Sequence, residues 1–320
     1  MRLRLTKAAW FLAAVLCLMP AAEAGTRERI YVLSQAGAAL SAIEDGAEMV
    51  AFSIPLDKAP AALALAPDGT RAYVTHPDLG KVSVVDLDGR RVLRSFAIAG
   101  SPFGIAVTAD GRLFVADWNG AHVSVIDAGD GKPVKTIEVG RAPAHVLLTP
   151  DEKLLFVANR ESDSVSAVRT ADLAVAATIP VGRAPFAMAL SPDATRLYVG
   201  NVQSANVSVI DTARLETVDT LQSGAMPYGA AVTPDGSRTL ITNQQASTVS
   251  VLERSAGQPT AIKVGAYPEG IAVTADGKRA YVANWFSDDI SVLDLATSSE
   301  TRRIKCPGGP RGIAILHPIP

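Results

Sequence analysis

The sequence lacks the features that would place it in several common classes of protein. Only two of its 320 residues are cysteines, aromatic residues make up 5%, and 30 lysines and arginines stand against 32 acidic residues. No Cys-x-x-Cys-His haem attachment motif or zinc-type cysteine cluster is present. With a formal net charge of −2, the chain has no basic field of the kind that binds a phosphate backbone. A nucleic-acid partner is therefore not expected.

The first 24 residues have the pattern of an export signal. Three basic residues in the first seven precede the apolar run AAWFLAAVLCLMP, and small residues end the segment at Ala24. The run is short for a membrane span, so we expect a signal peptide over residues 1–24, cleavage near Ala24 and a periplasmic or secreted product. Cys17 raises the alternative of a lipid anchor, although Leu16 directly before it is large for that cleavage site.

The predicted mature chain is residues 25–320. It loses three basic residues and Glu23, which leaves 27 basic against 31 acidic residues, a net charge of −4. Its single cysteine, Cys306, excludes an intramolecular disulfide, and no transmembrane segment is expected in it. Nearly 300 residues are enough for a large apolar core, so burial must stabilise the fold.

An internal repeat is the strongest signal in the sequence. A proline recurs every 41 or 42 residues, at Pro60, Pro102, Pro143, Pro185, Pro227, Pro268 and Pro310. Each unit reads as four short strands: a small-residue strand such as GIAVT, a turn such as Pro67 to Gly69, a strand such as LFVA, an alternating strand such as VSVID, and a fourth such as VKTIEV.

Four strands in about forty residues are typical of a β-propeller blade. The C-terminal GPRGIAIL supplies only a first strand, and the N-terminal RIYVLSQ, ALSAIE and MVAFSI match the other three. The sequence therefore predicts an all-β fold, a seven-bladed β-propeller of four-stranded blades, formed as a single domain over residues 25–320. The last blade is closed by the N- and C-terminal strands, which removes free sheet edges, so a monomer can fold alone.

The repeats YVTH, YVAN and VSVID resemble those of the YVTN-repeat propellers. The resemblance covers the mature chain and implies an exported or surface-associated propeller, similar to the propeller subunits of quinoprotein and haem-d1 systems. It implies no particular chemistry, because fold alone does not assign function.

Residues that break the repeat indicate a site on the face that we call the top, where each proline and each loop after the second strand lie. Its expected aromatic residues are Phe103, Trp118, Phe186, Tyr228 and Trp285. Trp118 and Trp285 are expected to face each other across the channel mouth. Aromatic residues with a few polar groups are typical of binding sites, but the same rings could simply close the channel.

Polar residues accompany these rings. Arg160 occupies the position of the two tryptophans in its own blade, and Glu269 and Arg311 follow successive repeat prolines, where they could pair with each other. An asparagine ends the second strand in four blades, at Asn159, Asn201, Asn243 and Asn284. Such side chains usually bond nearby backbone and shape the loop; contact with a ligand is the alternative.

Three histidines and one aspartate fall in the first three blades on the same face. His76 replaces the asparagine, His145 stands where other blades have Gly or Ala, and His122 and Asp117 flank a loop. Imidazole and carboxylate groups suit a transition metal or a general base, although the spacing matches no close-set ligand motif. Hydrogen-bonded structural histidines are the alternative. No cofactor is otherwise predicted.

These features favour a non-catalytic binding or scaffold protein that recognises a protein, a peptide or a small molecule on its top face. No catalytic residue is assigned. The alternative is a periplasmic enzyme or accessory subunit, either a metal-dependent hydrolase using His76 or His145, or an auxiliary of a quinoprotein or haem oxidation system. Stacking of single-stranded bases on the aromatic residues is disfavoured by the acidic charge.

Overall fold

The computed structural model describes residues 28–254 and 258–317. The predicted signal segment, residues 1–24, lies outside the described residues. Within the described ranges the chain forms strands β1 to β28 and one short 3-10 helix, Pro77–Leu79. No helix in these ranges has the length and apolar character needed to cross a membrane.

The strands follow one another along the chain in groups of three or four. The first group is β1 (Arg29–Ser34), β2 (Ala39–Glu44) and β3 (Phe52–Pro55). Next come β4 (Leu63–Leu65), β5 (Arg71–His76), β6 (Lys81–Asp86) and β7 (Arg91–Ala97). Then follow β8 (Pro102–Val107), β9 (Arg112–Asp117), β10 (His122–Asp127), β11 (Pro133–Glu138), β12 (Pro143–Leu148), β13 (Leu154–Asn159), β14 (Ser164–Arg169) and β15 (Ala174–Pro180). The next eight are β16 (Pro185–Leu190), β17 (Arg196–Asn201), β18 (Asn206–Asp211), β19 (Glu216–Gln222), β20 (Pro227–Val232), β21 (Arg238–Asn243), β22 (Thr248–Glu253) and β23 (Thr260–Lys263). The last are β24 (Pro268–Val273), β25 (Arg279–Asn284), β26 (Asp289–Asp294), β27 (Ser299–Lys305) and β28 (Pro310–Leu316).

These strands form seven four-stranded antiparallel sheets, which we number as blades 1 to 7. Blade 1 has the order β4-β5-β6-β7, and blades 2 to 6 repeat it with successive groups of four strands. Blade 7 has the order β28-β1-β2-β3. The predicted seven-bladed propeller, with a last blade made from both ends of the chain, is therefore confirmed.

Blade 7 joins the two ends of the chain by strand pairing. Antiparallel pairing of β28 with β1 sets Ile315 opposite Ile30 and Ile313 opposite Val32. A polar contact between blades adds to the closure, because the hydroxyl of Tyr281 donates to Asp45 Oδ1 at 2.7 Å. Burial raises the pKa of Tyr281 to about 12, so this hydroxyl keeps its proton at neutral pH.

The core consists of seven apolar clusters, one between each pair of neighbouring blades. Between blades 1 and 2, for example, Tyr73 and Val82 pack with Leu113 and Val115. The middle two strands of each blade are covered on both faces, so they read as apolar runs. Outer strands such as β19 are largely exposed. Full burial of each large apolar side chain stabilises the fold by about 1.5–3 kcal/mol.

The turns between first and second strands repeat one polar bond. A Thr or Ser hydroxyl donates to the Asp two residues later, as from Thr149 to Asp151 at 2.7 Å and from Thr233 to Asp235 at 2.6 Å. This hydrogen bond is the largest cause that lowers the pKa of both Asp151 and Asp235 to about 2. The repetition shows that these aspartates shape the turn.

The two loops that form the top face are joined by another recurrent bond. The backbone N–H of the residue after the second strand donates to the backbone carbonyl of the residue just before the repeat proline. Examples are Arg160 to Ala142 at 3.1 Å and Trp285 to Tyr267 at 3.0 Å. The accepting residue has a positive φ, which is +48° at Ala142 and +61° at Tyr267. This bond fixes the loop residues at the top of six blades; blade 1 lacks it, because Pro77 follows its second strand and has no N–H.

Removing β28 tests the closure. We expect a chain ending at residue 309 to melt at least about 10 °C lower or not to fold, because several large side chains lose burial and each kcal/mol is equivalent to about 2–4 °C. The measurement is thermal unfolding followed by circular dichroism. A matched chain ending at His317, which keeps all of β28, should melt like the full chain. Equal melting of the two truncated chains would contradict the closure account.

Candidate functional site

Four aromatic side chains from blades 2, 4 and 5 meet at the top of the channel. The ring of Phe103 lies 4.7 Å from that of Trp118 and 6.0 Å from that of Phe186, centroid to centroid. Phe186 stacks on Tyr228 with 4.1 Å between centroids and 27° between planes. We call these four residues the aromatic cap. The geometry agrees with the alternative in which the rings close the channel mouth.

The cap has an apolar base of its own. Ala144, Ala184 and Val202 are buried and form one cluster with the four rings, and the half-buried Met226 packs against them. This cluster is an eighth one, in addition to those between blades. The rings are therefore held in place by side chains of blades 3, 4 and 5.

Trp285 belongs to a different aromatic group. Its ring stacks with that of Phe286 at 5.3 Å, and Phe286 lies 4.4 Å from Tyr267. Phe286 is 67% exposed, and the indole of Trp285 borders Gly309, where a Cβ would come within 2.3 Å of Nε1. Trp118 and Trp285 are thus in separate clusters and do not form two walls of one site, as the sequence had suggested. Tyr267, which directly precedes the repeat proline Pro268, joins this group and was not predicted from the sequence.

Glu269 and Arg311 form a buried ion pair next to the cap. Arg311 Nε lies 3.0 Å from Glu269 Oε2, and the two side chains are 13% and 3% exposed. Gln244, which the sequence analysis did not select, donates from Nε2 to Glu269 Oε1 at 2.8 Å. Arg311 Nη2 also donates to the hydroxyl of Tyr228 at 3.2 Å. Burial raises the pKa of Glu269, an effect opposed by Arg311 and Gln244.

Cations also lie against the rings of the cap. The guanidinium carbon of Arg160 is 5.7 Å from the centroid of Trp118, and that of Arg311 is 5.4 Å from the centroid of Phe103. Both distances are within the range of cation–π attraction. The structure therefore brings the expected residues Arg160 and Arg311 to the same aromatic cluster.

A cavity of about 220 Å³ lies on the axis among the inner strands. This volume is far above the roughly 10–15 Å³ that one water needs. Phe103, Phe186, Tyr228, Glu269 and Arg311 line it, together with His145 and apolar side chains of the inner strands. We call it the axial cavity. Six of the residues that break the repeat meet here.

The three histidines have separate partners. Both ring nitrogens of the fully buried His76 lie within hydrogen-bond distance of its own blade, Nδ1 at 3.1 Å from the carbonyl of Lys58 and Nε2 at 3.0 Å from Ser83 Oγ. His122 Nε2 is 3.6 Å from Asp117 Oδ2. Burial lowers the pKa of His76, so this side chain is neutral at pH 7.

His145 fills a gap between the inner strands β12 and β16. Its Nδ1 accepts the backbone N–H of Met188 at 3.2 Å, so the neutral ring must carry its proton on Nε2. The equivalent residue of blade 2 is Gly104, and no side chain fits there. A Cβ on Gly104 would lie 2.5 Å from the carbonyl oxygen of Ala144. Burial lowers the pKa of His145 to about 4.

The structure does not gather the predicted metal ligands. Of His76, His122, His145 and Asp117, only His122 and Asp117 approach each other. In the described ranges, no three His, Cys, Asp or Glu side chains are placed to hold a metal ion. Asp117 instead accepts the N–H groups of Ser101 and Asn119 at 2.8 and 3.1 Å. The geometry favours the structural alternative for these residues.

The asparagines that end the second strands are fully buried inside their blades. Each donates from Nδ2 to a serine on the third strand, in the pairs Asn159–Ser166, Asn201–Ser208, Asn243–Ser250 and Asn284–Ser291, at 2.8–2.9 Å. The same bond in four blades supports the scaffold role over ligand contact.

The neutral state of His145 makes stability depend on pH. The unfolded side chain takes up a proton near pH 6.5 and the folded one only near pH 4, so its contribution is present above pH 6.5 and is lost as pH falls towards 4. The amide oxygen of His145→Gln can still accept from Met188. In this variant we expect the free energy of unfolding to fall less steeply between pH 6.5 and 4, by up to about 1.4 kcal/mol per pH unit. Urea unfolding at several pH values measures it; parallel curves for the two proteins would contradict the assignment.

Comparison with known proteins gives the same architecture. The family model "SMP-30/Gluconolactonase/LRE-like region" matches residues 24–160, and "Lactonase, 7-bladed beta-propeller" matches residues 131–214. Each match covers less than half of the chain. No curated protein sequence matches.

Solved structures of three bacterial proteins are similar in fold. Hydrazine synthase of Kuenenia stuttgartiensis is 23% identical, with a TM-score of 0.72 over 82% of this chain and 91% of that one. A functionally unknown protein of Desulfotomaculum acetoxidans is 15% identical, with a TM-score of 0.78 over 92% and 100%. A Lactobacillus plantarum protein is 18% identical, with a TM-score of 0.79 over 91% and 100%. At such identities the likeness concerns the fold alone, and with the closed ring of seven sheets it identifies the chain as a seven-bladed β-propeller.

Proposed function

We propose that the protein is an exported, non-catalytic binding propeller that holds a small organic ligand in the axial cavity, beneath the aromatic cap of its top face. The observation that carries this proposal is the axial cavity itself, about 220 Å³ in volume and lined by an aromatic group, an ion pair and a histidine. Concave apolar sites with a few convergent polar groups are the usual form of small-molecule sites. Export rests on the signal pattern of residues 1–24.

The distribution of unusual residues supports a ligand in the cavity. The first residue after the repeat proline is alanine in two blades, at Ala61 and Ala144, and both alanines are buried. In the other five blades this position holds Phe103, Phe186, Tyr228, Glu269 and Arg311. A ring that needed only packing could use alanine throughout, and the buried ion pair is costly to desolvate. These five residues are better explained by recognition.

The groups around the cavity favour binding over proton transfer. His145 uses Nδ1 to accept from Met188, so its other nitrogen carries a proton and cannot act as a base at neutral pH. Glu269 Oε1 accepts from Gln244, and Oε2 lies 3.0 Å from Arg311 Nε, has no hydrogen-bond partner among the described residues and has almost no accessible surface. A general base needs a free acceptor within reach of the substrate, and the one free oxygen of Glu269 is buried out of its reach.

An enzyme is the second candidate, favoured by the matches to the gluconolactonase-like and lactonase family models. Its test is hydrolysis of gluconolactone by the purified protein, with and without added divalent metal ions. Turnover that chelator abolishes would support this candidate. A rate equal to the uncatalysed one with Ca²⁺, Zn²⁺ or Mn²⁺ in excess would contradict it.

Filling the axial cavity tests the binding proposal. Ala230 lines it, and the equivalent residue is isoleucine in blades 2, 6 and 7, as at Ile105 and Ile271. We expect Ala230→Ile to keep the fold and to lose about tenfold or more in affinity for ligands found by ligand-observed NMR with a mixed set of neutral, cationic and anionic fragments. The exposed Val134→Ile is the matched control. Unchanged binding in Ala230→Ile, or no binder in the whole set, would contradict the proposal.

A further inference from the structure

Three side chains that line the axial cavity, those of Arg311, Tyr228 and His145, carry N–H or O–H groups that have no acceptor among the described residues. A guanidinium has five N–H groups. Arg311 donates one from Nη2 to Tyr228, and its Nε lies 3.0 Å from Glu269 Oε2 in the ion pair. The other three have no partner among the described residues. His145 has a free Nε2–H, because Nδ1 is the acceptor for Met188. Tyr228 accepts from Arg311, so its own O–H is free to donate.

The acceptor that could balance these donors is out of reach. Glu269 is 2% exposed, and its Oε2, which has no hydrogen-bond partner among the described residues, has almost no accessible surface and lies 3.0 Å from Arg311 Nε. Its Oε1 accepts from Gln244. A ligand in the cavity therefore meets donors from Arg311, Tyr228 and His145, and must itself supply the acceptors.

The charges around the cavity favour an anion. Glu269 and Arg311 cancel each other. Arg160, which stacks on Trp118, adds a positive charge that acts on Tyr228 and forms no salt bridge with any described residue. Among the three charged side chains that line the cavity or contact the aromatic cap, one positive charge is thus in excess. A singly negative group would neutralise it.

Apolar residues of the inner strands form much of the wall. They include Leu63, Ile105, Met188, Ile271 and Ile313. An inorganic anion would leave these surfaces without contact, whereas an organic body would bury them at about 25 cal/mol per Å².

We infer that the ligand of the axial cavity is a small monocarboxylate with an apolar body, whose carboxylate accepts from Arg311, Tyr228 and His145. This inference rests on the proposed function and specifies its ligand class. Hydrogen bonds to a charged acceptor are about twice as strong as neutral ones, and a planar guanidinium suits a carboxylate in particular.

The experiment compares isosteric probes at pH 7. Benzoate, benzamide and benzylamine have the same ring and differ in the charge of the head group; hexanoate tests a second shape and inorganic phosphate a bare anion. Saturation-transfer NMR and titration calorimetry on the mature chain measure each affinity. We expect benzoate or hexanoate to bind at least about tenfold more tightly than benzamide, benzylamine and phosphate.

Variants assign the binding to the donors. Removing both members of the ion pair, in Glu269→Leu with Arg311→Leu, avoids leaving one charge buried and should weaken carboxylate binding about ten- to hundredfold. The control Arg183→Gln removes an exposed arginine of the same face and should leave binding unchanged. If the double variant does not fold, Tyr228→Phe keeps the ring stack and should weaken binding about three- to tenfold.

The outcomes separate this inference from the proposed function. Equal or tighter binding of benzamide, benzylamine or phosphate overturns the carboxylate assignment, and so does the failure of both carboxylates to bind. In each case the binding proposal is decided by the mixed fragment set and Ala230→Ile. An equal loss of carboxylate affinity in Arg183→Gln and in the cavity variants would likewise overturn the assignment. It would show that the positive charge of the face attracts the carboxylate without a specific site.

Discussion

The pairing of β28 with β1 is the contact on which the rest of the structure depends. Each blade buries its faces only against its two neighbours, so seven blades without closure would leave two apolar faces and a sheet edge in water. The last residues of the chain supply the inner strand of the blade that the first residues begin. Closure also creates the axis, because only a complete ring has inner strands that face one another.

Seven equivalent positions around an axis make functional residues recognisable. A residue that serves the scaffold recurs in most blades, as the Asn–Ser bonds and the turn aspartates do. A residue that serves a ligand stands in one blade and converges with unlike residues of other blades. Arg311, Tyr228 and His145 satisfy this description, since they come from blades 7, 5 and 3 and line one cavity.

The repeat predicted the fold well because the information is local and occurs seven times. Proline spacing and turn sequences gave the blade count, and the unmatched ends gave the closure. The position of Glu269 and Arg311 in neighbouring blades also indicated their pairing. The directions of side chains could not be predicted from the sequence. Trp118 and Trp285 both follow a second strand, but Trp118 packs in the aromatic cap and Trp285 packs on Gly309. The separate partners of His76, His122 and His145 were beyond the sequence for the same reason, because adjacent blades can hold their side chains in different surroundings.

The central claim is that a small ligand occupies the axial cavity under the aromatic cap, and the fluorescence of Trp118 tests it most directly. In a protein of residues 25–320 carrying Trp285→Phe, Trp118 is the remaining tryptophan, and hexanoate does not absorb where tryptophan is excited. The account predicts a saturable change in Trp118 emission as hexanoate is added, and none from Trp285 in the matched Trp118→Phe protein. A response from Trp285 alone, or from neither tryptophan, would contradict it.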